Sequence, residues 1–119
     1  MAIPSGSGTE VLKVRYSAGV TNTEYVVMYG NVDHIQTILS VTICETTGNP
    51  EIFDMYVDDY DSATGPKDYE ILSAIPLGAN ETFVWNDRLV LPGGDRLCIA
   101  LASAGNVDVV VSYIDQDWT

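Results

Sequence analysis

Apolar and polar residues alternate along most of this chain with a period of two, the spacing that sends successive side chains to opposite faces of a β-strand. Over residues 10–16, Leu12, Val14 and Tyr16 fall on one face and Lys13 and Arg15 on the other. That alternation predicts a half-buried strand with the apolar set inward. Residues 21–29, rich in Tyr and Val, follow a turn signal at 19–22 and predict a second strand. In 35–44, Leu39, Val41 and Ile43 oppose Ser40 and Thr42, and the run closes at Gly48-Asn49-Pro50. In 52–57, Phe53, Met55 and Val57 oppose Asp54. Another strand is expected over 69–75, ended by Pro76. Segments 82–85 and 88–91 read as a tight hairpin pinched at Asn86-Asp87. In 96–102, Leu97, Ile99 and Leu101 share one face and the small residues Cys98, Ala100 and Ala102 the other. A last strand runs over 107–114 into the tail DQDWT.

This amounts to roughly eight or nine short strands at intervals of about 8–13 residues, with turn residues at each junction. No segment carries a helical period long enough for an α/β fold. The pattern therefore predicts an all-β domain, an antiparallel β-sandwich or barrel. The chain has 119 residues, one domain's worth. Residues 10–119 are expected to form that domain. Residues 1–9, with Pro4, Gly6 and Gly8 among Ser and Thr, read as a flexible N-terminal arm.

Composition narrows the function. A hydrophobic share of 46% argues against wholesale disorder. With 17 Asp+Glu against 5 Lys+Arg the net charge is −12, which disfavours nucleic acid and anionic membrane surfaces as partners. No apolar run approaches the roughly 18–20 residues of a membrane helix. The opening MAIPSGSGTE lacks the basic region and apolar core of a signal peptide. Cys44 and Cys98 both sit in apolar runs and read as buried thiols, with one disulfide between them left open.

Little in the chain points to catalysis. The single histidine, His34, reads as a strand-edge or loop residue, and no nucleophile or phosphate-binding motif surrounds it. The acidic run Asp54, Asp58, Asp59, Asp61, Asp68 and Glu70 would be the place for a hard cation, with Asp58, Asp59 and Asp61 as its ligands. Counted from Asp59, however, the EF-hand positions fall on Ala63 and Thr64, so the run reads as a solvated loop and no metal or other cofactor is expected. Tyr56, Tyr60, Tyr69, Trp85 and Trp118 are aromatics of the kind that stack on sugars, although packing is their commoner use. A non-enzymatic structural or binding module is expected.

Self-association is expected as well. A sandwich of short strands leaves open edges. Cys98 and Ala100 permit a close approach, and Trp118 ends a polar tail with no local core to enter. With Ile3 and Pro4 of the arm, these are the candidate interface residues.

The stretch IPLGANETFVWNDRLVLPGGDRLCIALASAGNVDVVVSYID resembles a recurring pattern in small virion proteins of tailed bacteriophages. The opening SGSGTEVLK is similar to theirs too. The resemblance implies a jelly-roll-like sandwich and a structural virion role, foremost a capsid decoration or cement protein. Its implied partners are further copies of itself, as a trimer, and other virion proteins such as the major capsid protein. The alternative it leaves is a tail or baseplate accessory protein, including a receptor- or carbohydrate-binding module. The implied location is the virion, on the capsid surface or tail, after synthesis in the host cytoplasm. No catalytic residues come with the resemblance, and the acidic loop 58–68 has no place in the pattern.

Overall fold

A computed structural model describes residues 9–21, 24–59, 67–103 and 105–117. Among them are nine strands and no helix: β1 (Thr9–Val20), β2 (Tyr25–Tyr29), β3 (His34–Glu45), β4 (Glu51–Asp59), β5 (Lys67–Leu77), β6 (Thr82–Trp85), β7 (Leu89–Pro92), β8 (Arg96–Leu101) and β9 (Val107–Asp117). Every pairing is antiparallel. One sheet, A, runs β1-β9-β3-β6 with β7 also on β3; the other, B, runs β2-β8-β4-β5.

β6 and β7 are not the hairpin that Asn86-Asp87 suggested. They lie end to end on one strand, β6 against Val41–Cys44 and β7 against Ile35–Ile38. The break faces a register shift in β3 between Ile38 and Ser40. An extra residue in one strand bends the ladder, and the facing strand divides to follow it. Counted as one interrupted strand, β6 and β7 leave four strands in each sheet, with strand order and crossovers of a jelly roll. The expected sandwich, jelly-roll-like, is the observed fold.

The same shift corrects the reading of β3. Ile38, Val41 and Ile43 are buried, whereas Leu39 lies on the outward side and is only half-buried. Between the sheets they meet Val109 and Val111 of β9, Phe53 and Met55 of β4, and Leu97, Ile99 and Leu101 of β8. Phe53 meets Phe83 edge to face, with centroids 5.5 Å apart. Pro76 falls inside β5 rather than ending it, which the ladder tolerates because β5 is an edge strand.

Two buried glutamates tie loops to one end of the sandwich. Glu45 accepts hydrogen bonds from the backbone N–H of Thr47 and Gly48, both at 2.8 Å, and from that of Asn80 at 3.2 Å. Burial by itself would raise its carboxyl, but these donors and the Thr47 hydroxyl outweigh it and bring the value down to about 2. Glu51 accepts from the Ile52 N–H at 2.9 Å and from the Ser103 hydroxyl at 2.9 Å. Each carboxylate satisfies backbone donors that strand pairing leaves over.

Candidate interaction surface

β1 departs most from its sequence pattern. Its apolar set faces solvent: Leu12 is 72% exposed and Tyr16 73%, with Val14 beside them. The polar set lies on the core side, because Lys13 pairs with Tyr113 and Arg15 with Val111 in the register against β9. Lys13 donates from Nζ to Oδ2 of the buried Asp115 at 2.8 Å, and His34 Nδ1 lies 2.8 Å from the other carboxylate oxygen. Arg15 reaches the ring of Tyr29, 6.0 Å from its centroid. Burial would raise the Asp115 carboxyl, yet the hydrogen bonds from Lys13 and His34 hold it below its ordinary value. The same Lys13–Asp115 bond raises the lysine. Asp115 thus ties β1, β9 and β3 together and turns β1 over. Nothing in the local alternation of β1 discloses it, since the partners lie about 100 residues away (a separation of 102 for Lys13–Asp115). His34 itself opens β3, close to the strand-edge position expected.

Outward from sheet A, β1 therefore presents Leu12, Val14 and Tyr16. Beside them β9 presents Val110, Ser112 and Ile114, and β3 presents Thr37, Leu39, Ser40 and Thr42. On the far edge Val84 is 55% exposed and Val90 58%. Glu10, hydrogen-bonded by Gln116, marks one end of this face, and Asp108, which accepts from the Gly19 N–H, marks the other. The strand positions between them carry no charge. A shallow groove of about 310 Å³ runs between Leu12, Val14, Leu39 and Ser112. This face was absent from the sequence reading. Its signal was present in the uncharged alternate positions of three strands, but only the pairing of β1, β9 and β3 assembles it.

The outer face of sheet B is its opposite in charge. Register places Asp54 against Ala100, Tyr56 between Cys98 and Glu70, and Asp58 between Arg96 and Asp68. Asp68 is raised by burial and then by repulsion from Asp58 and Glu24; Glu70 is raised by burial and then by Asp54 and Asp68. Arg96 lies over the Tyr29 ring at 5.3 Å. Amid these carboxylates Tyr56 and Cys98 are buried, and burial first, then nearby negative charge, pushes the Cys98 thiol up to about 12. The Tyr56 hydroxyl is raised for the same first reason.

The candidate residues from sequence are scattered. Asp58 and Asp59 are consecutive in β4 and project to opposite faces, so they do not converge, and Asp61 lies outside the described residues. Among the described residues no group of three or more His, Cys, Asp or Glu is placed to hold a metal. Cys98 is already covered within the chain and Ala100 is half-buried beside Asp54. Ile3, Pro4 and Trp118 lie outside the described residues, as does the arm except for Thr9, which opens β1. Of the aromatics, Tyr56 is buried, Trp85 packs on the core, Tyr69 is 52% exposed, and Tyr60 lies outside the described residues. Cys44 lies on the outer face of sheet A and Cys98 on that of sheet B, both as free thiols, which closes the question of a disulfide.

No protein-family model matches the sequence, and no curated protein does. Solved structures do share the fold. A chain of the acidic stable capsid of Helicobacter pylori bacteriophage KHP30 superposes with a TM-score of 0.52 at 11% identity, covering 95% of both chains. A chain of the T13 IBDV viral particle superposes with a TM-score of 0.53 at 8% identity. That match covers all of this chain but 38% of the viral one, so this chain spans well under half the length of that relative. The xylan-binding domain CBM22-1 of Paenibacillus barcinonensis Xyn10C is a looser match, at a TM-score of 0.48 and 12% identity. At such identities the likeness is one of fold: this chain has a jelly roll of the kind found in viral capsid proteins.

Proposed function

We propose that this chain is a non-catalytic structural protein of a tailed-bacteriophage virion, a capsid decoration or cement protein that associates with itself and with other virion proteins, the major capsid protein foremost. The observation that carries the reading is the jelly roll shared, over nearly the whole of both chains, with a phage capsid chain. The C-terminal likeness to small phage virion proteins adds to it, and so does the uncharged outer face of sheet A, since a protein with net charge −12 needs such a face to pack among neighbours. In this role the two sheets supply the surfaces, and burial of apolar area supplies the binding energy.

An antibody against the chain, applied to particles purified from the lysate that produces it, tests the proposal. Regular labelling of the heads is expected. Labelling confined to tails would replace decoration with a tail role, and particles free of the chain would overturn the virion reading.

A further inference from the structure

We propose that two copies of this chain pack face to face through the outer side of sheet A. The inference rests on the self-association in the reading above, but not on the virion setting.

Exposed apolar side chains scattered singly need no explanation, whereas a contiguous apolar patch marks a contact. Leu12, Val14 and Tyr16 of β1 and Ile114 of β9 lie side by side on one sheet face, and Val84 and Val90 stand on its far edge across Thr42 and Thr37 of β3, on either side of the break at 86–88. The occupant follows from charge and size. Any two copies bring −12 each to their contact. The outer face of sheet B would set Asp54, Asp58, Asp68 and Glu70 against their counterparts, and its bulky apolar residue, Tyr56, is already buried. The outer face of sheet A sets neutral side chains against neutral ones. In such a pair four sheets stack at ~10 Å, so the two acidic sheets stand ~30 Å apart, well beyond the ~8 Å screening length at physiological salt.

The area suffices. Between Gln116, which pairs with Glu10, and Asp108 the face runs eight residues along β9, so at ~3.3 Å per residue and four strands abreast at ~4.8 Å it covers roughly 500 Å² per copy, or roughly 1,000 Å² for the pair. That reaches the lower bound for a specific interface. Packing through the face is favoured over pairing of β1 edges, because β1 carries Lys13, Arg15 and a register shift between Ser17 and Val20, the usual obstacles to edge-on association. A face that packs on its own copy closes with two-fold symmetry, which gives a pair where the resemblance to decoration proteins suggested a trimer.

Sedimentation equilibrium of the full chain at tens of micromolar is expected to give twice the 12.9 kDa chain mass. Leu12→Lys/Tyr16→Lys alters two side chains that stand in solvent within one copy, so the fold is kept while the dissociation constant rises at least ~100-fold. The charge-matched control on the other face, Asp68→Lys/Glu70→Lys, leaves the pair intact. As a measurement independent of those variants, Ser112→Cys in a Cys44→Ser background, at the middle of the face, gives a disulfide-linked pair on mild oxidation that Cys44→Ser alone does not give. A wild-type monomer, or an oligomer that the β1 variant leaves unchanged and the sheet B variant dissociates, overturns the assignment. The antibody labelling of particles is indifferent to either result, so this inference and the virion reading fail separately.

Discussion

The two outer faces of this sandwich are built by the same alternation, yet they treat their residues in opposite ways. On sheet A the apolar side chains Leu12 and Tyr16 stand in solvent and the carboxylates stay at the ends; on sheet B the carboxylates crowd the centre while Tyr56 and Cys98 are buried among them. A face that keeps large apolar groups exposed and charge away is prepared for a partner. A face that buries its apolar groups under charge is finished within one chain. The contrast separates surface from scaffold more sharply than residue type does, because each face carries one of the two cysteines and at least one tyrosine.

The cysteines offer the widest contrast. Cys44 is half-buried on sheet A, whereas Cys98 is 1% exposed with a thiol pushed up to about 12. Burial holds Cys98 in the thiol form at pH 8, whereas the thiolate is the reactive form. Titration with a maleimide at sub-micromolar protein, where a pair has dissociated, is expected to consume one equivalent promptly, at Cys44. The second reacts only after unfolding. Two equivalents at similar rates in the folded chain would show that sheet B's outer face opens readily.

The tyrosines come next. Tyr56→Ala removes a ring that is 6% exposed and is expected to cost about 3–5 kcal/mol, as for other buried aromatics. Tyr16→Ala removes a ring that is 73% exposed and is expected to cost under about 0.5 kcal/mol in the monomer. Urea unfolding at sub-micromolar protein, where a pair has dissociated, measures both. Equal losses would erase the distinction between the faces.

Much of the frame was legible in the chain. The alternation groups the apolar positions of β4 and β8 on shared faces, as it does Val41 and Ile43 of β3, and those faces are the ones that line the core. What failed has a common physical origin in pairing over long sequence separations. The apolar set of β1 points outward because the register against β9, far along the chain, sets Lys13 beside Tyr113 and Arg15 beside Val111, with Asp115 to receive Lys13. Leu39 was assigned inward because a bulge in β3 shifts the register between Ile38 and Ser40. The supposed hairpin at Asn86-Asp87 is an interruption that follows that bulge. Local alternation fixes which residues share a face; tertiary contacts decide which way the face points. The uncharged surface depends on those very strands, so it was invisible until they were paired. Glu45 and Glu51, which look like ordinary surface charges in sequence, are buried loop anchors for the same reason.

The smallest expected effect concerns charge, and it distinguishes the two faces by pH. Asp68 and Glu70 are raised above the ordinary 3.8 and 4.5, by burial first and by neighbouring carboxylates second. A carboxyl raised in the folded state binds its proton more tightly there than in the unfolded chain. It therefore burdens the fold at neutral pH, and the burden lifts as the pH falls through its raised value. Glu45 and Asp115 behave in the opposite sense: held low, they stabilise the fold above the ordinary carboxylate range, and that contribution is lost as the pH falls from about 4.5 toward the value of about 2 at Glu45. Sheet B's outer face thus favours mild acid, and the loop anchors and the β1 tie give way only in stronger acid. The melting temperature is expected to rise as the pH falls from 7 toward the raised values of Asp68 and Glu70, and to fall again below about pH 4. Asp68→Asn removes one carboxylate facing Asp58 and should add about 0.5 kcal/mol at pH 7, the size of a like-charge pair across strands, while flattening the rise in mild acid. Thr42→Asn, an equally polar change on the outer face of sheet A, should leave the shape of the curve unaltered, because its directly opposed partners, Val84 and Val110, carry no charge. If Asp68→Asn leaves both the neutral-pH stability and the acid rise unchanged, the crowding of charge on sheet B has no energetic consequence, and the two faces differ in composition alone.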